Sequence, residues 1–249
     1  MVSTLSITIL GSSGSYASPT NPCTGFLLQS RDATVLYDCG PGTVGPLQAA
    51  IELDELDAIV TSHCHPDHWL ELPVLRNVFT WFHPRTGIAV YGTAQTRKMD
   101  SDLHIAVEGA PSPFEWTVIN NTSELVIGDQ HWTFVRTDHP VETLAARVEV
   151  DGKIAFFTSD SGPNFRYDDF AARADIVFSD ASHLAAFEGE SIPHMSARES
   201  AERATSAEVK HLVLTHLVPG CDPVAHREEA VGAYGGPVDV ALSGDVFEI

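Results

Sequence analysis

One six-residue stretch constrains this chain more than any other: His63-Cys64-His65-Pro66-Asp67-His68, which directly follows the apolar run Asp57-Ala58-Ile59-Val60-Thr61-Ser62. Imidazole and carboxylate are the side chains that zinc and similar borderline metals favour. Alternate residues of an extended segment point the same way, so His63 and His65 address one ion. Pro66 stiffens the turn, and Asp67 and His68 come round to address a second ion beside the first. Packing alone does not account for four such donors in six residues at the C-terminal end of a strand.

Around this turn the chain alternates short β-rich runs with helical stretches. Residues 5–10, 25–29, 34–38, 57–62 and 88–91 read as strands. Residues 43–53 and 68–82 read as helices, the second with Trp69, Leu72, Leu75, Phe79 and Phe82 spaced for one buried face. A Pro/Gly/Asn-rich connection covers 109–121. Strands then resume at 132–137, 144–150, 153–158, 175–178, 211–215 and 238–242, with helices at 196–206 and 224–234. Ser196 followed by Glu199 is a capping box at the start of the first of these helices. The pattern gives one domain over residues 1–249, built from two β-then-α halves, approximately 1–125 and 126–249. So many strands with interspersed helices suggest two packed sheets covered by helices, although periodicity does not separate this from a mixed-sheet α/β fold.

Hydrophobic residues make up 43% of the 249 and charged residues 19%, as in an ordinary globular protein. No apolar run approaches the roughly 18 residues needed to cross a bilayer. The segment Met1-Val2-Ser3-Thr4-Leu5 has no basic region and residues 5–10 are too short for a signal-peptide core, so a cytoplasmic protein with no membrane partner is expected. Cys23, Cys39, Cys64 and Cys221 form no C-x-x-C pair and read as small, partly buried thiols.

The H-x-H-x-D-H segment resembles the signature of the metallo-β-lactamase superfamily, whose fold is an αββα sandwich of α/β (α+β) class with a dinuclear site at one sheet edge. Three further segments, each at a strand end, match its later motifs in order. Thr137-Asp138-His139-Pro140 implies His139 as third ligand of the first metal. Thr158-Ser159-Asp160-Ser161-Gly162 resembles G-D-[ST]-G, with Asp160 bridging both ions and Ser159 in place of the usual glycine. Leu214-Thr215-His216-Leu217 gives His216 to the second metal. The implied ligands are thus His63, His65, Asp67, His68, His139, Asp160 and His216, for two divalent ions: zinc by default, manganese or iron as alternatives. No organic cofactor is implied.

Within the superfamily the chain is similar to the ribonuclease Z-like group and its small phosphodiesterase relatives. Leu10-Gly11-Ser12-Ser13-Gly14-Ser15 resembles the group's L-G-x-x-G-S turn, and Asp38-Cys39-Gly40-Pro41-Gly42 its D-x-G-x-G loop. Both read mainly as tight turns that need glycine; neither is a P-loop, because no Gly-Lys-[Ser/Thr] follows. His194-Met195-Ser196-Ala197 resembles H-[SM]-[ST]-A, and Asp180-Ala181-Ser182 resembles E-A-[ST]. The resemblance implies an acid–imidazole pair beside the scissile phosphate, with Asp180 standing where the group has the longer Glu. Tyr91-Gly92-Thr93-Ala94 and Thr215-His216-Leu217-Val218-Pro219 look like bacterial cyclic-nucleotide phosphodiesterases of this fold.

With 34 acidic against 14 basic residues the formal net charge is −20, which repels a polyanion at long range. No basic insertion corresponds to the Gly/Pro-rich arm with which ribonuclease Z grips tRNA. Charge and missing arm together favour a small-molecule phosphodiester over a long nucleic acid. The resemblance implies that water activated between two metals attacks phosphorus, with Asp67 as ligand and orienting group and His194, held by Asp180, protonating the departing oxygen. The rival activities are a tRNA 3′-end endonuclease, a carboxylic or sulfuric ester or lactone hydrolase, and an iron-dependent dioxygenase; a noncatalytic metal-binding role fits the full ligand set poorly. The family's habit of dimerising implies a homodimer. His83, His104, His131, His211 and His226 match no motif and read as surface or packing residues. His183, Trp69 and Trp81 are left between packing and a pocket-lining role.

Overall fold

The computed structural model describes residues 4–104 and 111–249; residues 1–3 of the N-terminal reading and the opening of the 109–121 connection lie outside the described residues. The first part of the chain forms β1 (Ser6–Gly11), β2 (Gly25–Gln29), β3 (Thr34–Cys39), α1 (Val44–Ala50), β4 (Ala58–Val60), α2 (Pro66–Trp69), α3 (Leu72–Trp81), β5 (Ile88–Gly92), α4 (Ala94–Leu103) and β6 (Phe114–Val118). The second forms β7 (Glu124–Ile127), β8 (Gln130–Arg136), β9 (Leu144–Val150), β10 (Lys153–Phe157), β11 (Ile176–Asp180), α5 (Ala197–Ser206), β12 (Leu212–Thr215), α6 (Pro223–Ala233), β13 (Val238–Val240) and β14 (Val246–Glu248).

The strands make two seven-stranded sheets, ordered β14-β1-β2-β3-β4-β5-β6 and β13-β12-β11-β10-β9-β8-β7. In the first, β3 to β6 run parallel. In the second, β10 to β13 run parallel. The last strand crosses back to pair antiparallel with β1. Parallel strands covered on both faces need near-continuous apolar sequence, and Ala58-Ile59-Val60 and Ile176-Val177-Phe178 have it.

The layers follow from where the apolar side chains go. Ile7, Phe26, Tyr37 and Val60 of one sheet meet Trp132, Phe134, Phe157 and Phe178 of the other in a central core. The outer face of the first sheet packs Leu36 and Ile59 against Leu47, Trp69, Leu72 and Phe79 from the helices beside it. The outer face of the second packs Leu212 and Leu214 against Ala197, Ala201, Ala204 and Ala230. The result is the four-layer αββα sandwich, and it resolves the choice that periodicity left open.

Three local expectations change. The helix expected over 68–82 is two, because Glu71 at the break is tied elsewhere: its N–H donates to Cys39 O at 3.0 Å and its carboxylate accepts from Gly42 N at 2.7 Å. The 43–53 helix ends at Ala50 and is followed by a 3₁₀ turn at Leu53–Glu55. Inside the supposed connection, Phe114–Val118 is a strand paired with β5. The capping box at Ser196 and Glu199 is present with both bonds formed. No helix among the described residues is long and apolar enough to cross a membrane.

Candidate metal centre

Parallel strands deliver their C-terminal ends to one edge, and there the functional side chains meet. Asp38 ends β3 and His63 follows β4. Asp160, Asp180 and His216 stand at or just past the ends of β10, β11 and β12, the side of an open α/β sheet where ligands bind. Asp38, Ser159 and His216 each hold φ between 52° and 60°. Such left-handed backbone is costly outside glycine and persists where surrounding structure over-determines it. Ser159, where the family motif has glycine, adopts this conformation itself; its Oγ donates to Leu144 O at 2.9 Å and meets Tyr37 Oη at 2.7 Å.

All seven residues expected as ligands come together. His63, His65, His139 and Asp160 form one group of donor atoms, each within 4.8 Å of the others, and Asp67, His68 and His216 form another. Asp160 lies between them. Its Oδ2 is 3.3 Å from His63 Nε2 and 3.8 Å from His139 Nε2; its Oδ1 is 3.0 Å from His68 Nε2 and 3.2 Å from His216 Nε2. Asp67 Oδ2 is 3.3 Å from His216 Nε2.

Four of the five imidazoles have a partner on Nδ1. His68 Nδ1 donates to Asp38 Oδ2 at 2.7 Å. His139 Nδ1 donates to Pro193 O at 3.1 Å. Ser62 Oγ donates to Asp38 Oδ2 and so accepts from His63 Nδ1 at 3.0 Å. Ser182 Oγ donates to Asp180 Oδ1 and so accepts from His216 Nδ1 at 2.9 Å. With a proton on each of the four Nδ1 atoms, the four Nε2 atoms point inward toward Asp160. They crowd together: His65 Nδ1 and His139 Nε2 stand 3.1 Å apart, and His68 and His216 Nε2 3.4 Å apart. His63 Nε2 and Asp160 Oδ1 are buried without any hydrogen-bond partner. Orphaned polar atoms of this kind are rare in proteins, and converging lone pairs with outer partners are what a metal-binding site needs. The residues fit two metal ions.

The charge states differ between the two groups. Burial pushes the His63 imidazole down to about 4, with His68 adding to the effect and Asp160 opposing it. Burial likewise lowers His65 and His139. Burial would raise Asp160, but His216, His68 and His63 outweigh it and hold the carboxyl well below its usual range. His68 goes the other way: burial is overcome by Asp160, Asp67 and Asp38, which hold its proton on. Three carboxylates around one imidazole call for positive charge, which a bound cation supplies.

Beside both groups stands His194, its ring 5.0 Å from that of His216 at 17° and 5.2 Å from that of His139. Its Nδ1 bonds Asp180 Oδ2 at 2.7 Å; the shorter Asp reaches the imidazole that the family's Glu was expected to hold. Asp180 also takes the N–H groups of Ser161 at 3.0 Å and Ser182 at 3.1 Å. Burial would lower His194, but Asp180 beside it raises it to about 9.

Sequence reasoning underrated two residues. Asp38, which the sequence places in a tight turn, orients His68, and Ser182 of the D-A-S segment links Asp180 to His216. The D-x-G-x-G and E-A-[ST] likenesses held both signals. The L-G-x-x-G-S turn also packs on the site: Ser15 N donates to Asp67 Oδ2 at 2.7 Å, and a Cβ on Gly14 would come within 2.7 Å of His216 Nδ1. Among the undecided residues, Trp69 is 1% exposed and braces the metal turn from the core, its indole N–H donating to Cys64 O at 2.9 Å. Trp81 is exposed in a separate surface hollow with Pro73 and Arg76. Of the five bland histidines, His226 is buried with Nδ1 on Asp222 O and His211 pairs with Asp239.

Residues 33–217 match the family model of the β-lactamase superfamily domain. The chain is 27% identical to a probable metallo-hydrolase, YhfI of Bacillus subtilis, over 98% of its own length and 100% of that protein. The crystal structure of YhfI superposes with a TM-score of 0.90, covering 98% of this chain and 99% of that one. Ribonuclease Z of Mycobacterium marinum is 27% identical over 95% of each chain. A diphosphatase of the PhnP family, 18% identical, shares the fold with a TM-score of 0.79 and coverage of 98% on both sides.

Proposed function

The chain belongs to the metallo-β-lactamase superfamily, and from that premise we propose that it is a metal-dependent hydrolase of small phosphodiesters such as cyclic nucleotides. The observation that carries this reading is the 2.7 Å bond between Asp180 and His194 Nδ1, alongside both groups of ligands. An ester or lactone hydrolase has less use for a second imidazole anchored by a buried carboxylate. A phosphodiester with a poor leaving oxygen has need of one.

His63, His65, His139 and Asp160 would hold one ion, and Asp67, His68, His216 and the other Asp160 oxygen the second, zinc being the default metal. When bound, two such ions supply a nucleophile from water at neutral pH and positive charge for the phosphoryl oxygens. Asp67, fixed by the Ser15 N–H, orients the nucleophile. Asp180 keeps the Nδ1 proton of His194 engaged and leaves Nε2 to meet the phosphate or protonate the departing alkoxide. Buried walls around the donors strengthen each of these interactions by excluding water.

A second reading, the tRNA 3′-end endonuclease, is favoured by the likeness to ribonuclease Z over nearly the whole chain. Against it stands the net charge of −20, which opposes the counterion-driven binding of a long polyanion. A hydrolysis panel over a 3′,5′-cyclic nucleotide, bis-p-nitrophenyl phosphate, a lactone and precursor tRNA separates these, with metal content measured on the same sample. Cleavage of the first two with weak action on tRNA is expected. Efficient, site-specific tRNA cleavage at physiological salt promotes the second reading, and lactone hydrolysis alone overturns both.

A further inference from the structure

His183 is the residue after Ser182, 9% exposed, and the centre described above makes no use of it. Its ring does not line the site, and both nitrogens face main-chain carbonyls: Nδ1 is 3.1 Å from Leu184 O and Nε2 is 3.1 Å from His194 O. A carbonyl oxygen only accepts, so a neutral ring can serve one of the two, and a hydrogen bond to His194 O needs the proton on Nε2. The main chain of His183 grips the same segment again. Its carbonyl accepts from Ala197 N at 2.9 Å, and it bridges Ser196 in parallel register. The intervening residues 184–193 run largely exposed, with their main-chain bonds mostly local, such as Phe187 N to Leu184 O and Glu188 N to Ala185 O. Glu188 within it ties the start of α5, accepting from Ser196 Oγ and Arg198, but the bonds of this loop do not include the His194 carbonyl. His139 holds Pro193 O and the capping box holds Ser196, but the carbonyl of His194 itself is held by His183.

We propose that His183 is a positioning residue for His194: its Nε2–H clamps the His194 carbonyl so that the His194 ring stays on Asp180 with its other nitrogen turned to the substrate. Its effect on catalysis rests on the phosphodiester reading above; its effect on the His194 ring does not. A misplacement of about 1 Å in a reacting group costs on the order of 10²-fold in rate, so a modest loosening of this residue is visible.

The test uses the full-length, metal-loaded protein with H183L, which removes the donor, and H183Q, whose amide N–H reaches the same carbonyl. Two quantities are read: kcat and KM on a 3′,5′-cyclic nucleotide and on a p-nitrophenyl diester, and the solvent exchange of the His194 Nδ1 proton by NMR. H183L should lower kcat on the cyclic nucleotide by about 10–100-fold, with KM and the p-nitrophenyl reaction little changed. It should also speed exchange of the His194 proton about tenfold, and H183Q should restore both. Unchanged exchange in folded H183L overturns the proposal, as does equal damage in H183Q. If H183L does not fold, H183N, whose amide stops a methylene short, takes its place against H183Q. If the unaltered protein cleaves neither diester, the functional reading has failed, and the exchange rates still decide the role of His183.

Discussion

The two sheets supply the metal centre in different ways. The first gives His63, His65, Asp67 and His68 from a single turn after β4, a contiguous segment whose spacing does the gathering. The second gives His139, Asp160, Asp180, His194 and His216 from five separate places, one residue at a time. There the gathering is done by topology: β10, β11 and β12 lie side by side and parallel, with Phe157 opposite Phe178 and Asp180 opposite Thr215, so residues more than 50 positions apart end at one edge. A local motif gives a dense set of donors; a sheet edge gives reach, and with it the carboxylate that lies between both sets of ligands and the imidazole proposed to serve the substrate.

The largest effect that tests this contrast is at Asp160. Asp160→Ala should lower occupancy of both metals, measured by metal analysis of the purified protein, and should cut activity on the order of 10⁴-fold, the several kcal/mol that metal ions contribute to a transition state. His63→Ala should weaken one ion only. Two tightly held ions in the Asp160 variant would show that no residue of the second sheet spans the pair. Next comes His194→Ala, expected to lower kcat on a cyclic nucleotide by about 10²–10⁴ while hardly touching a p-nitrophenyl diester, whose leaving group is stable without a proton. Equal losses on the two substrates at unchanged metal content would remove His194 as the donor.

A smaller effect belongs to Asp38, the outer partner of His68 in the first sheet. Asp38→Asn should weaken metal retention against a competing chelator by about 10–100-fold; an unchanged competition curve would mean the local turn needs no support from its sheet. The smallest is at the opposite edge. Asp175, before β11, accepts from Ile154 N at 2.9 Å and pairs with Lys210 at 2.9 Å and Lys153 at 3.4 Å. Burial would raise its carboxyl, but the Lys210 bond, Ile154 N–H and Lys153 outweigh it and hold the carboxyl low. A depressed acid contributes stability above its ordinary range near about 4, lost as pH falls through the folded-state value. Asp175→Asn should therefore cost about 1 kcal/mol in denaturant melts at pH 7, less at pH 3, with activity retained.

The same contrast explains what the sequence made legible. His63 to His68 could be read at once because the donors sit in six adjacent positions, whereas His139, Asp160 and His216 became readable only as an ordered set, each at a strand end. Helix α4 escaped because Ala-Gln-Thr-Arg-Lys-Met-Asp-Ser-Asp-Leu has no apolar stripe, and its buried residues are Thr96 and Asp100. Strand β6 escaped because it follows a proline-rich stretch and buries only Phe114 fully. The break between α2 and α3 depends on Glu71 reaching Gly42 and Cys39, partners about 30 residues distant that periodicity does not report. The position of His183, three residues after Asp180, suggests the pocket, but its ring turns to the returning chain at His194 O.

The outer partners of the four imidazoles have a consequence for how the protein handles metal. Asp38, Ser62, Ser182 and the Pro193 carbonyl aim those rings through bonds made within the protein itself. An arriving ion meets donors whose rotational freedom is already gone, so little ordering entropy is charged against its binding. Small zinc modules behave oppositely, since their ligands assemble only around the metal and chelators unfold them. Bonds of this kind separate folding from metal loading, so a chelator-stripped chain is expected to keep its cooperative thermal transition and to rebind metal when it is returned; a chain that melts without cooperativity once stripped would show that the ions help to build the fold.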